Sequence, residues 1–196
     1  MRLIPWILLV ALGAGAAGCS RVARAPDPQP PGANQAAITF LRAADTIGSN
    51  SITLYDVSAT EIAFIGLINP GTKVAYPVKP GVSRFMVITT GATDFLELNA
   101  APGKTYYSEV VNREPSQAFG MPRVGLRPVR YEELGGADFR RLNDATGYVT
   151  KGRRLDVWYK NNADSIAGRR DAALPAWQQQ TPEQRAARTL RDLDGR

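Results

Sequence analysis

The chain has 196 residues, 44% hydrophobic and 21% charged, a balance typical of a globular protein and a length that suits one ordinary domain with extensions. Its formal charge of +6 is spread evenly, with three basic and one acidic residue in 1–35, nine and seven in 36–131, and twelve and ten in 132–196, so no block forms the basic stripe of a nucleic-acid binder. Histidine is absent and Cys19 is the one cysteine, which excludes histidine-based triads and dyads, the usual zinc sites and an internal disulfide. No metal and no cofactor is expected.

Arg2 opens the chain, Leu3 to Leu12 is apolar apart from Pro5, and small residues lead to Ala16-Ala17-Gly18-Cys19. A charged start, a short apolar core and a small-residue cleavage region make a secretory signal over residues 1–18. The apolar run from Leu3 to Gly18 holds three glycines and falls short of the about 20 residues that a spanning helix needs. Residues 16–19 resemble a bacterial lipobox, with Ala17 and Gly18 matching and Ala16 where leucine is usual. The resemblance implies cleavage before Cys19, a diacylglyceryl thioether on its sulfur and an acyl chain on its new amino group. Each buried CH₂ contributes about 0.8 kcal/mol, so one chain holds marginally and two or three hold firmly. Ser20 stands where the inner-membrane retention signal has aspartate, which by the same resemblance implies the outer membrane, facing the periplasm. The competing reading is cleavage at Ala14-Gly15-Ala16 and release as a periplasmic protein.

Residues 19–35 read as an acylated cysteine followed by a linker. Pro26, Pro28, Pro30 and Pro31 favour extended chain, with a reach of up to roughly 50 Å at ~3.1 Å per residue. From Ala36 short apolar segments alternate with turns, as in an all-β domain. Strands are expected over 36–42, 51–57, 62–68, 73–78, 82–89, 94–99, 104–112 and 123–130. The nearly continuous apolar run 62–68 predicts a central strand buried on both faces. Pro77 cannot donate to a ladder, so segment 73–78 should lie at an edge or end there. The turns include Asn69-Pro70-Gly71, Lys79-Pro80-Gly81 and Ala101-Pro102-Gly103, where proline presets one turn position and glycine supplies positive φ at the next. The predicted fold is mainly β, a small antiparallel β-sandwich of about eight strands over 36–131.

Within that region Ile38-Thr39-Phe40-Leu41-Arg42, Gly48-Ser49, Lys79-Pro80-Gly81 and Gly103-Lys104-Thr105-Tyr106-Tyr107 resemble the domain-of-unknown-function family numbered 2846. The resemblance implies a small envelope β-sandwich and brings no catalytic residues. Val82-Ser83 departs from the basic text common after that turn. Residues 132–196 read as a helical extension. A short helix is expected at 138–144 with Phe139 and Leu142 inward, another around 162–173, and a last helix capped by Thr181, Pro182 and Gln184 with Ala186, Leu190 and Leu193 as its stripe.

Tyr106 and Tyr107 are consecutive on a strand, so their rings point to opposite faces: one belongs to the core, and the other, with Tyr76 or Trp158, is a candidate binding surface. Trp177 is a further candidate, as a partner surface or as packing of the tail. Asp94 and Glu97 are three apart and do not converge as an acid–base pair on a strand. The expected function is a non-catalytic envelope lipoprotein, a structural or interaction module held to the membrane through Cys19 with an envelope protein as partner. The alternative is a periplasmic module binding a glycan, lipid or peptide.

Overall fold

The computed structural model describes residues 22–46, 52–89, 92–113 and 123–196. Cys19, the signal segment and Gly48-Ser49 lie outside them. The protein is mainly β with a helical C-terminal part. Its strands are β1 (Val22–Arg24), β2 (Ala36–Arg42), β3 (Ile52–Asp56), β4 (Ala63–Ile68), β5 (Thr72–Val78), β6 (Gly81–Ile88), β7 (Thr93–Ala100), β8 (Thr105–Arg113), β9 (Arg123–Pro128), β10 (Gly147–Lys151) and β11 (Thr189–Leu190). The helices are α1 (Tyr131–Leu134), α2 (Ala137–Ala145), α3 (Arg153–Gln178) and α4 (Pro182–Ala186). Six strands form one sheet in the order β1-β10-β5-β2-β8-β9, and five form the other in the order β11-β7-β6-β3-β4.

All eight expected strands form, but the sheets are mixed rather than antiparallel. β2 pairs parallel with β8, β5 with β10 and β7 with β11. Parallel neighbours need a long crossover, and here the connection from β2 to β8 passes through β3, β4, β6 and β7 of the other sheet and through β5 on the far side of β2. The three Pro-Gly turns have the expected geometry, with φ of 72° at Gly71, 115° at Gly81 and 77° at Gly103.

Period-two alternation explains the core. Ile38 and Phe40 of β2, Val74 and Val78 of β5, and Tyr106 and Val110 of β8 meet Ile52 and Leu54 of β3, Phe85 and Val87 of β6, and Leu96 and Leu98 of β7 in one apolar cluster. The opposite face of the five-stranded sheet presents Tyr55, Phe64, Leu67, Met86 and Phe95, which α3 covers with Leu155, Ile166 and Trp177. On the outer face of the other sheet, Leu41, Tyr107 and Val129 meet Leu134 and Phe139 of α1 and α2.

Four expectations are corrected. Segment 62–68 is an edge strand, not a central one; its continuous apolarity arises because the core takes one face and α3 the other. The linker is not free along its length, since Val22–Arg24 pairs with Lys151–Val149. The tail is not purely helical, since β10 and β11 complete the two sheets. The last helix stops at Ala186, because Leu190 pairs into the sheet opposite Leu98 and is fully buried there. β5 is interior in the sheet order and continues past Pro77 to Val78, but β10 pairs with it only at Thr72 and Lys73, so among the described residues no strand flanks Pro77 on the side away from β2.

Candidate functional site

The structure separates the aromatic residues singled out in the sequence. Tyr106 is fully buried in the shared core, accepts from Ala101 N (2.7 Å) and donates to the Asp192 carbonyl (3.1 Å). Tyr107 is buried on the opposite face, edge-on to Phe139 at 5.0 Å, with Arg196 over its ring. Tyr76 is half-buried against Phe85 and donates to Asp56 Oδ2 at 3.3 Å. Burial, followed by the negative charge of Asp56, pushes its hydroxyl up to about 12. All three rings serve packing.

Trp158 remains 40% exposed, next to Val157 at 61%, near the start of α3. Its ring lies 6.0 Å from Phe64, which Lys151 overlies at 5.5 Å. Lys151 Nζ donates to the Phe64 carbonyl (3.2 Å) and pairs with Asp156 (2.8 Å).

Trp177, 3% exposed, takes part in a cleft whose lining is charged. Near the C-terminal end of α3, a cleft of about 430 Å³ is lined by Thr93, Asp94, Phe95, Arg113, Val124, Ala173, Trp177, Gln180 and Arg188. That volume falls in the range of small-molecule sites. Asp94 lies at its centre: its carboxylate accepts from Leu126 N (2.9 Å), pairs with Arg188 and lies 3.6 Å from Arg113 Nε. Burial pulls the Arg113 guanidinium below its ordinary value, against the charge of Asp94. Arg188 also donates to the Phe95 carbonyl (2.9 Å) and sits over the Trp177 ring. Trp177 Nε1, Gln180 Oε1 and Arg188 Nε are buried without a hydrogen-bond partner among the described residues. The lining carries two arginines against one carboxylate, which suits an anionic group rather than a cation.

Sequence reasoning considered Asp94 only as a possible partner of Glu97, and the structure assigns the two to different cations, Glu97 to Arg84 at 2.8 Å and Asp94 to Arg113 and Arg188. No local signal joins positions 94, 113 and 188. Among the described residues no three His, Cys, Asp or Glu side chains come together as a metal site, and no helix is long and apolar enough to cross a membrane. No protein-family model matches the chain, and a search of curated proteins finds no match.

Proposed function

We propose that this protein is an envelope lipoprotein, exported by residues 1–18 and anchored through acylated Cys19 on the periplasmic side of the outer membrane. Its two sheets are read as a β-sandwich, related over 36–131 to the domain-of-unknown-function family numbered 2846, that works as a non-catalytic interaction module for an envelope protein. The observation that carries the reading is the position of the one cysteine, at the end of the small-residue region and three residues before β1. A thiol selected for core packing has no reason to stand there; a thiol selected for acylation must. Intact-mass measurement on protein from its native membrane should give a chain beginning at Cys19 with added fatty mass, and Cys19→Ala should move it to the soluble fraction. A chain cut elsewhere, or uncut, refutes the reading.

The cleft favours a second reading, a module that binds a small anion at Arg113 and Arg188. Titration with inorganic phosphate and with glutarate tests it. Binding that disappears in Arg188→Gln supports it; no binding of either by the parent protein leaves the cleft a structural joint between α3 and the sheets.

A further inference from the structure

We propose that the anchored protein lies against the bilayer on one defined side, formed by β1, the adjoining end of β10 and the first turns of α3. The proposal rests on Cys19 being the anchored residue. Three peptide units join Cys19 to Val22, where β1 begins. A chain spans at most about 3.6 Å per residue, so Val22 stands within about 11 Å of the Cys19 backbone. The headgroup layer of one leaflet is about 5–8 Å deep. β1 is therefore held at the headgroup surface, and whatever adjoins β1 meets lipid with it. A free linker over 19–35 would have allowed any orientation; pairing of Val22–Arg24 with β10 removes that freedom.

The neighbours of β1 suit that surface. Val22 pairs with Lys151, and α3 opens two residues later at Arg153. Lys151 covers Phe64, and Phe64 touches Trp158, so the anchor leaves the fold beside that exposed tryptophan. Val157 and Trp158 are adjacent, and both are among the few large apolar side chains left exposed. Arg153, Arg154 and Lys160 are exposed on the same turns of α3, Arg24 is exposed on β1, and Arg21 lies in the connecting residues. Asp156 is engaged by Lys151, whereas Arg153, Arg154 and Lys160 have no ion pair among the described residues. Elsewhere Arg84, Arg127, Arg130 and Arg188 each carry a carboxylate partner, while Lys79, Arg140 and Arg185 are exposed without one among the described residues, so the basic residues suit this side without singling it out. Tryptophan settles at the headgroup level, and unneutralised basic residues within a Debye length are drawn to anionic lipid. Tether length and ring select the same side, its basic residues are compatible with it, and the occupant they fit is the bilayer that holds the anchor.

The single thiol makes the test direct. The chain from Cys19 onward is coupled through that sulfur to a maleimide phospholipid in vesicles containing anionic and brominated phospholipids. The brominated chains should quench Trp158, and Trp158→Phe should abolish the quenching, leaving only the buried Trp177. Replacing Arg153 and Arg154 by glutamine should lower the ratio of docked to undocked protein about 25-fold, at about fivefold for each basic residue near an anionic surface. Absence of quenching in the coupled protein, or quenching that survives Trp158→Phe, overturns the proposal and leaves this side to a protein partner. Because coupling is chemical, these outcomes do not depend on acylation in the cell, which the mass of the native protein reads separately.

Discussion

Asp194 is the buried carboxylate on which the C-terminal closure turns, and its removal has a pH signature. Its side chain is fully buried and accepts from Arg191 N (2.8 Å), from Arg191 Nη2 (2.6 Å) and from Arg130 Nη1 (2.8 Å). Burial alone would raise its pKa; the hydrogen bonds from Arg191 and then Arg130 overcome that and lower it from 3.8 to about 2. A depressed carboxylate stabilises the fold above its unfolded pKa and loses that contribution as pH falls through its folded one. At 1.36 kcal/mol per pKa unit, the contribution at pH 7 is about 2.5 kcal/mol. It is about half as large at pH 3 and under about 0.5 kcal/mol at pH 2. Asp194→Asn should therefore be about 2.5 kcal/mol less stable than the parent in urea denaturation at pH 7, with the gap closing between pH 4 and 2. Other titrating groups are common to both proteins and cancel in the difference. A gap that stays constant from pH 5 to 2 would show that the loss comes from packing rather than charge and would refute the reasoning.

Three further substitutions probe the same architecture. Leu190→Ala should cost about 3 kcal/mol, as for a fully buried leucine; a cost near 1 kcal/mol would return Leu190 to the half-exposed stripe of a longer last helix. Gly195→Ala should destabilise by about 1–3 kcal/mol, lowering Tm by about 3 °C for each of them, because an added Cβ would stand 2.7 Å from the Tyr106 ring; an unchanged Tm would mean that this approach is looser than described. Trp177→Ala should cost about 3–5 kcal/mol while Trp177→Phe costs far less, since the indole nitrogen has no partner to lose among the described residues; equal losses in thermal melts would point to an essential hydrogen bond there.

The strands between 36 and 128 are legible because each carries its own alternation and its own turn signal. Those that were missed have neither. Val22–Arg24 is three residues of a proline-rich stretch, and Thr189–Leu190 is two residues of a helical pattern. Both are strands only because an edge of β10 or β7 stands ready to pair with them. Gly147–Lys151 gains its place the same way, in parallel with β5. The capping box at Thr181 was legible and forms, with Thr181 N donating to Gln184 Oε1 (2.9 Å) and Gln184 N to Thr181 Oγ1 (3.3 Å). What it starts is only five residues long, because a cap fixes where a helix begins and not where tertiary pairing ends it. α3 runs well beyond the stretch 162–173 because Leu155 and Tyr159 before it and Leu174 and Trp177 after it also pack on the sheet, positions separated by enough polar residues to leave no continuous apolar stripe. The cleft was illegible for the same reason as β11: its charged groups come from β7, β8 and the segment after α4.

A fold with one cysteine and, among the described residues, four sheet edges is exposed to edge-to-edge pairing, and each of these edges is managed. β1 is only three residues long. On β4 the Phe64 carbonyl accepts from Lys151, the Ile62 carbonyl just before the strand from Tyr159, and the Ile68 carbonyl from Arg42. On β9 the Leu126 N–H donates to Asp94 and its carbonyl accepts from Arg113 (3.1 Å). On β11 the Thr189 carbonyl accepts from Arg130 (2.7 Å), the same guanidinium that holds Asp194. Long side chains from other elements thus take the hydrogen bonds that a neighbouring strand would offer. The groups that line the cleft are in part these edge caps, which gives the carboxylate between two arginines a structural role in covering β9. Among the described residues β1 is guarded by brevity rather than by side-chain caps, and in the sequence it begins three residues after Cys19. If the anchor is acylated, the bilayer itself shields that edge, so the side that most needs cover is the side that has it.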